Sequence, residues 1–183
     1  MAAWEIARSR FDHADESLGL SLWQVTNHWR AAHRAALSPF DLTHVQFVLL
    51  AALTWLAGRS AGKPVTQRDV ADHVATDPMM TSQVLRTLEQ KRLLERRDHP
   101  TDRRAKSLIP TESGAALVNR AIGAVEACDR DFFGPLGDRT PGFTEALHQL
   151  RDRGTSNDRW SNHALEAQGE EGVQFGSGRE QGT

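Results

Sequence analysis

One segment, residues 66–109, restricts the possible folds more than any other part of the chain. It contains two short stretches with apolar residues at helical spacing, and each begins with a capping signal, a threonine in the first and an aspartate followed by proline in the second. Only residues 75–77 separate them. Two runs of strand-forming residues, 93–97 and 105–109, then flank the turn-forming stretch DHPTDRR. The pattern predicts two short helices joined by a tight turn and followed directly by a two-stranded hairpin.

The charge of this segment differs from that of the whole chain. The 183 residues carry a formal net charge of -2, which alone gives no reason to expect a polyanionic partner. Residues 86–106, however, hold eight basic and four acidic side chains, a local charge of +4 that leaves -6 for the remainder. A basic patch on an acidic body is typical of proteins that bind phosphates in one orientation. Charge alone leaves a second interpretation open, a solvated hairpin that binds nothing.

Longer helices are predicted on both sides of the segment. Apolar residues recur at spacings of three and four from Leu18 until Ser38–Pro39 ends the helix, and a helix that is apolar almost all round follows Thr43. Thr111 caps the longest helix and Thr140 opens the last one. The predicted buried stripe of the longest helix consists of Leu117, Ala121, Ala124, Cys128 and Phe132. The predicted fold class is mainly α with a small β-hairpin.

Several functional classes find no support in the sequence. The single cysteine, Cys128, cannot form an intramolecular disulfide, and its place on an apolar stripe favours inert packing over oxidant sensing. No apolar run approaches the roughly 20 residues that span a bilayer, and the start lacks a signal-peptide core, so we expect a cytoplasmic protein without membrane contact. No histidine pair has the i, i+4 spacing of a helical metal site, and no catalytic motif occurs. We therefore expect no metal, no cofactor and no enzyme activity.

The second short helix is predicted to leave mostly small and polar residues on its outward face. Two short helices joined by a tight turn form a helix-turn-helix, in which the second helix enters the major groove of DNA. Gln83 has the donor and acceptor that pair with an adenine edge, and Arg86 can reach a guanine or a phosphate. An ordinary polar helix face is the alternative interpretation. The predicted DNA contacts on this helix are Met79, Thr81, Ser82, Gln83 and Arg86.

A helix-turn-helix followed by a basic hairpin makes a winged helix. Adjacent Arg103 and Arg104 at the hairpin tip suit a narrow minor groove, where negative potential is concentrated. Asp102 stands two positions before Arg104 and is expected to hold it in an ion pair, which would leave Arg103 as the freer contact. Lys106 is a further predicted DNA contact, and Asp98 is a further residue expected to shape the wing.

The chain resembles the MarR family of winged-helix transcriptional regulators. The resemblance rests on residues 42–43 and 46–47 and on the motifs TSQVLRTLEQK, ERRDHPTDRRAKSL and PTESG. It extends over about residues 42–118 and is most specific in DHPTDRR. Family members commonly have glycine where Arg92 stands and a leucine or similar residue where Pro110 stands. Arg92 is therefore expected to adopt a backbone conformation that favours glycine.

The resemblance implies a homodimer in which the first long helix and the last two helices interlock, and the one-sided apolar stripes of these helices agree with it. Two winged helices on a two-fold axis would read a pseudo-palindromic site with half-sites about one helical turn apart. The resemblance further implies a small effector bound between the dimerisation helices and the winged helix. Its candidate contacts are Trp23, Trp29, His33 and Trp55, for which plain core packing is the alternative.

These observations together predict four regions. They are an N-terminal dimerisation region (1–40), a winged helix-turn-helix DNA-binding domain (41–110), C-terminal dimerisation helices (111–153) and a disordered tail (154–183). The predicted function is a ligand-responsive regulator of transcription that binds double-stranded DNA, with repression as the commoner behaviour of the family. The competing hypothesis is a winged helix whose second helix meets a partner protein, which an apolar outward face would favour.

Overall fold

The structure is a computed structural model that describes residues 13, 16–102 and 104–154, the last two by their backbone alone. Two short 3-10 segments, 38–40 and 134–139, join some of its elements. The helices and strands are α1 (Leu18–Leu37), α2 (His44–Arg59), β1 (Val65–Thr66), α3 (Gln67–His73), α4 (Pro78–Gln90), β2 (Leu94–Asp98), β3 (Lys106–Pro110), α5 (Glu112–Phe133) and α6 (Thr140–Gly154). The predicted fold class, mainly α with a small β-hairpin, is confirmed. Arg103 and the predicted tail beyond residue 154 lie outside the described residues.

The chain divides into two compact units, one ending at Pro135 and the other beginning at Leu136. The second unit contains α6, which begins at Thr140 as the sequence predicted. Phe143, Leu147 and Leu150 recur along α6 at helical spacing and remain between 36% and 60% exposed. The second unit thus carries an apolar stripe on its helix that remains partly exposed.

Side-chain caps fix the starts of the helices at the residues that the sequence predicted. Thr43 Oγ1 accepts a hydrogen bond from the Gln46 N–H at 3.2 Å, and the Gln46 side chain accepts one from the Thr43 N–H at 3.1 Å. The first helix of the helix-turn-helix, α3, begins with the same reciprocal arrangement, and Asp77 and Thr111 cap α4 and α5. Each cap stabilises its helix by about 1 kcal/mol because it satisfies a backbone N–H that has no partner inside the helix.

The central helix of the fold is α2. It packs against α1, α3, α4, α5 and β3, and its Leu49, Leu50 and Leu53 are fully buried. Leu85 and Leu88 of α4 join the same core, which therefore anchors the helix-turn-helix to the body of the protein. The predicted helix that is apolar almost all round is confirmed. Among the described residues no single helix is long and apolar enough to cross a membrane; α1 and α2 reach that length and composition only as a pair, across a bend of 72°.

The buried stripe of α5 differs from the predicted one. Leu117 and Cys128 are only half-buried, because α5 packs against both α1 and α2 and apolar residues therefore occupy two neighbouring stripes. Spacing alone does not show which stripe lies deeper. Partial burial raises the pKa of the Cys128 thiol, which agrees with a packing role. The buried residues of α5 are Gly114, Val118, Ala121 and Val125.

The predicted hairpin forms from β2 and β3, each one residue later in the chain than predicted. The register places Asp98 opposite Lys106, and β1 adds a third antiparallel strand on the other side of β3. The shift arises because Leu93 still belongs to the C-terminal turn of α4, where its N–H donates to the carbonyl oxygen of Leu88 at 2.9 Å. The first strand can begin only after that turn is complete.

Arg92 ends α4 in the left-handed conformation, with a φ of 60°. Its N–H donates to the Glu89 carbonyl oxygen at 2.8 Å, and together with the bond from Leu93 to Leu88 this completes a Schellman motif, in which glycine is the usual residue. The predicted glycine-like conformation of Arg92 is confirmed. A residue with a Cβ costs roughly 1–2 kcal/mol at such a position.

Replacing Arg92 by glycine should therefore stabilise the protein. We expect Arg92→Gly to raise the free energy of unfolding by about 1 kcal/mol, since relief of the strain outweighs the extra freedom of glycine in the unfolded chain. Urea denaturation measures the change. Arg92→Ala is the matched control because it removes the guanidinium but keeps the Cβ. If the glycine variant were no more stable than the alanine variant, the strain would not be the cause.

Candidate nucleic-acid interface

The predicted helix-turn-helix is formed by α3 and α4. The turn between them places Ala75 in the left-handed conformation, with a φ of 52°, and the Thr76 N–H donates to the Ala71 carbonyl oxygen at 3.0 Å. The Gln67 side-chain amide donates to the carbonyl oxygen of Pro78 at 3.2 Å and so joins the first turns of the two helices. These bonds fix the orientation of α4 relative to α3.

Thr81 lies inside the helix-turn-helix and not on its outer face. Its side chain is fully buried, its hydroxyl donates to the Asp77 carbonyl oxygen at 2.8 Å, and the Thr76 hydroxyl lies 2.9 Å away. The prediction that Thr81 faces outward was wrong, because the turn supplies partners that make burial of this hydroxyl possible. Met80, the residue before it in α4, is 39% exposed. Thr81 therefore positions α4 from within and is unavailable to a base.

The outer face of α4 presents Gln83 and Arg86 to solvent. Both residues are exposed, and within the described part of the chain neither side chain has a hydrogen-bond or ion-pair partner. Ser82 is half-buried beside them, and Met79 at the start of the helix is 73% exposed. An amide and a guanidinium that are free of other partners on a projecting helix are suited to base edges and phosphates.

Ion pairs engage basic residues on the strands of the wing, the hairpin formed by β2 and β3. Arg96 pairs with Glu89 of α4 at 3.1 Å, which ties the wing to the end of that helix. Lys106 pairs with Asp98 across the two strands. The hydrogen bond from Lys106 holds the pKa of the Asp98 carboxyl below its ordinary value. Lys106, a predicted DNA contact, is thus paired within the wing although its side chain is 56% exposed.

His99 and Asp102 organise the tip of the wing through backbone hydrogen bonds. His99 Nδ1 accepts from the Asp102 N–H at 3.1 Å, and Asp102 Oδ1 accepts from the Arg104 N–H at 2.9 Å. The predicted ion pair between Asp102 and the Arg104 guanidinium is therefore wrong, because the short aspartate side chain bonds the backbone two residues on. Among the described residues the Arg104 guanidinium has no partner. This role of His99 was not predicted from the sequence. The available signal was a histidine in a predicted turn, because its ring nitrogen can accept a hydrogen bond from a nearby backbone N–H.

Two of the four predicted effector contacts, Trp29 and His33, meet Asp129 in a polar cluster between α1 and α5. Trp29 Nε1 donates to Asp129 Oδ1 at 2.8 Å, and His33 Nε2 lies 2.8 Å from the same oxygen. His33 is 2% exposed, and its Nδ1 has no hydrogen-bond partner among the described residues. The His44 ring packs 4.7 Å from the His33 ring. Desolvation, followed by the charge of His33, lowers the pKa of His44, so that His44 is neutral at pH 7.

The other two predicted effector contacts, Trp23 and Trp55, take no part in this cluster. Trp23 is 67% exposed on α1. Trp55 is 48% exposed, stacks on the His73 ring at 4.9 Å and lies 4.6 Å from the Arg59 guanidinium. The contacts of the four residues thus do not place them together in one site. Their role in effector binding stays a prediction.

A cavity of about 710 Å³ opens between α1, the corner that follows it and the start of α2. None of the four predicted effector contacts lines it. Sequence reasoning missed this site, although two arginines one helical turn apart on α1 were a usable signal. The polar side chains that line it include Arg30, Arg34, Asp41, Thr43, His44 and Lys91.

Comparison with known proteins agrees with this geometry. The sequence profile of the MarR family matches residues 42–106. The chain is 42% identical over 142 residues to the uncharacterized HTH-type transcriptional regulator YdcH of Bacillus subtilis, covering 78% of this chain and 95% of that protein. It is 33% identical over 115 residues to the HTH-type transcriptional repressor Rv2887 of Mycobacterium tuberculosis, covering 63% and 78%.

A solved structure extends the agreement to the fold. BpsR of Bordetella bronchiseptica superposes with a TM-score of 0.68 at 27% identity, and the match covers 76% of this chain and 96% of that one. The predicted resemblance is confirmed by the family profile, by a relative matched over nearly its whole length and by the shared fold. The chain therefore belongs to the MarR family of DNA-binding transcriptional regulators.

Proposed function

We propose that this protein is a ligand-responsive repressor that binds a pseudo-palindromic operator as a homodimer, with α4 in the major groove and the wing in the minor groove. The observation that carries the proposal is the pair Gln83 and Arg86, which are exposed and have no side-chain partner among the described residues. They lie on a helix whose first turn is fixed from inside by Thr81. A rigid helix that projects free donors and acceptors is what base recognition in the major groove needs.

The names of relatives support the finer parts of the proposal. Rv2887 is described as a transcriptional repressor, and the BpsR structure concerns regulation of its DNA binding by 6-hydroxynicotinic acid. Repression and control by a small molecule therefore occur among proteins similar to this one. The cavity beside α1 offers a place where such a molecule could act on this chain.

The exposed apolar residues of α1 support dimerisation. Leu18, Leu22, Trp23 and Val25 are 86%, 56%, 67% and 45% exposed, although each is large and apolar. They follow one another near the start of a single helix, and contiguous apolar surface of this kind commonly marks an interface between proteins. A second copy of the chain would bury it.

A single charge in this surface should dissociate the dimer. We expect the wild-type chain of 20.3 kDa to sediment as a dimer and Trp23→Glu to shift the equilibrium strongly towards monomer, because an interface would have to bury an unpaired carboxylate in place of an aromatic ring. Analytical ultracentrifugation measures both. Gln24→Glu, at a neighbouring exposed position of the same helix, is the control and should remain dimeric. A wild-type monomer at micromolar concentration would refute the dimer.

The first test of DNA recognition is a salt titration of binding to the promoter region of the gene itself. Affinity should fall linearly on a logarithmic scale as salt rises, since phosphate contacts release counterions. Arg103→Ala should weaken binding and reduce the salt slope by roughly 1 for each arginine removed, thus by about 2 in the dimer. Fluorescence anisotropy provides both quantities. Affinity independent of salt would contradict the proposed DNA contact.

One observation favours the competing function, a winged helix that docks on a protein. Met79 is 73% exposed on the outward face of α4, where a large apolar side chain is costly to leave in water. If the purified protein formed a stable complex with a protein partner and ignored promoter DNA at low salt, this second function would replace the first. Binding of promoter DNA that competes with such a partner would leave DNA recognition as the function of α4.

A further inference from the structure

We propose that the cavity beside α1 binds a small dianion, and that the bound dianion draws Lys91 away from Asp41 and so acts on the end of α4. This inference rests on the proposed function, since it assigns the chemical class of the effector and the route by which it reaches the DNA-reading helix. The site lies within one chain and uses α1, the corner at Asp41, the start of α2 and the residue that caps α4.

The cavity carries two positive charges, those of Arg30 and Arg34, that have no carboxylate partner among the described residues. Arg30 and Arg34 both line it, both are exposed, and neither has a hydrogen-bond or ion-pair partner among the described residues. They stand one helical turn apart, so their guanidinium groups lie on the same side of α1. Two planar, permanently charged groups on one wall suit a ligand with several anionic oxygens.

The start of α2 forms a second wall with the same preference. Its capping box uses the N–H of Gln46, and the first-turn N–H groups of His44 and Val45 have no acceptors inside the helix. His44 and Val45 both line the cavity. Unbonded N–H groups and the positive end of the helix dipole stabilise an anion that the arginines already attract.

The charge count indicates a dianion. Arg30, Arg34 and Lys91 contribute three positive charges to the lining and Asp41 contributes one negative charge, which leaves +2. His44 adds none at pH 7 because its pKa is lowered. A phosphate monoester and a small dicarboxylate both carry the charge of -2 that would balance the lining of the cavity. Both also present oxygens that accept hydrogen bonds from guanidinium groups.

Lys91 connects this cavity to α4. It occupies the C-cap position of that helix, and its Nζ donates to the Asp41 carbonyl oxygen at 2.6 Å and to Asp41 Oδ2 at 2.8 Å. The Asp41 side chain is 95% exposed, so the ion pair itself is weak and can be exchanged. An anion in the cavity competes with Asp41 for the same ammonium group. The exchange would move the end of α4 relative to the corner after α1.

Calorimetric titration of the purified full chain tests the site without DNA. The probes are inorganic phosphate and succinate at pH 7.5, with sodium acetate as the monoanion control and sodium chloride added to equal ionic strength. We expect saturable binding of one dianion per chain, at least tenfold weaker binding of acetate, and a loss of roughly tenfold or more for Arg30→Gln combined with Arg34→Gln. Arg120→Gln, which removes an exposed arginine of α5 outside the cavity, should bind as the wild type does.

Each outcome decides the question. Saturation by phosphate alone or by succinate alone identifies the kind of dianion, whereas no saturable binding of either, or equal binding by the double variant, overturns the site. Lys91→Met tests the proposed link between the cavity and α4. Adding the dianion should lower the promoter affinity of the Arg120→Gln protein but leave that of the Lys91→Met protein unchanged. An unaltered response in Lys91→Met overturns the route through Lys91. Wild-type affinity for the promoter without any dianion tests the proposed function separately, so the two failures are distinguishable.

Discussion

Gly114→Ala should unfold the protein or come close to it. A Cβ at residue 114 would lie 2.0 Å from the carbonyl oxygen of Leu93 and 2.9 Å from its carbonyl carbon. These are backbone atoms, and they cannot move freely, because the same carbonyl oxygen accepts the Thr111 N–H at 3.1 Å. The Leu93 N–H in turn closes the last turn of α4. We expect a loss of more than about 4 kcal/mol in the free energy of unfolding, since either α5 or the junction between α4 and β2 must be displaced.

The matched control is Gly123→Ala in the same helix. Apart from its chain neighbours and the nearby backbone of α5 itself, a Cβ at residue 123 meets no described atom within 4 Å, and this position is exposed. Alanine should therefore stabilise α5 by about 1 kcal/mol, the difference in helix propensity between the two residues. Urea unfolding followed by circular dichroism measures both variants at the same protein concentration. A Gly114→Ala protein with the wild-type midpoint would show that α5 does not approach Leu93 this closely.

Combined loss of Gln83 and Arg86 should abolish sequence-specific DNA binding. Each side chain is exposed on the outer face of α4 and has no partner in the part of the chain that the structure describes. A good contact to a base edge contributes about 1–3 kcal/mol of discrimination. We expect the double alanine variant to bind its promoter site about a hundredfold or more weakly while retaining most of its affinity for unrelated DNA. Parallel anisotropy titrations with promoter and scrambled duplexes measure the ratio. Both residues are exposed, so the fold should not suffer.

The single variants separate the two contributions. Gln83→Ala should mainly relax base preference, whereas Arg86→Ala should lower promoter affinity strongly and non-specific affinity only slightly, since its guanidinium can reach a phosphate as well as a base. Arg120→Ala is the control, since it removes the same charge from α5 outside the helix-turn-helix. If the double variant kept the wild-type preference for its promoter over scrambled DNA, α4 would not be the reading helix.

Much of the site could be predicted because its signals are local. The capping boxes join residues three positions apart, and the Schellman motif that places Arg92 at a φ of 60° involves only the last turn of α4 and two residues beyond it. Interactions between residues so close in the sequence can be predicted from the residue types and their spacing. The helix-turn-helix, the hairpin and the family followed from them. The placement of Gln83 and Arg86 on an exposed face required only the helical period.

The remaining features depend on where a side chain turns when more than one partner is within reach. Thr81 has the spacing of an outward residue near the start of a polar helix face, but the Thr76 hydroxyl and the Asp77 carbonyl oxygen draw it inward. Asp102 had two possible partners in Arg104, the guanidinium and the N–H, and it bonds the N–H. The spacing along the sequence is the same whichever partner the side chain takes. Packing and backbone geometry therefore decide which hydrogen bond forms.

The sequence by itself determined the order of elements, their boundaries to within a residue or two, the basic wing and the family, because each depends on neighbours along the chain. Only the tertiary structure decided that Thr81 supports α4 from inside and that Arg30 and Arg34 line a cavity together with Lys91. The contact between Lys91 and Asp41 spans 50 residues. No periodicity or cap encodes such a contact, since it exists only after α1, α2 and α4 have packed around one core.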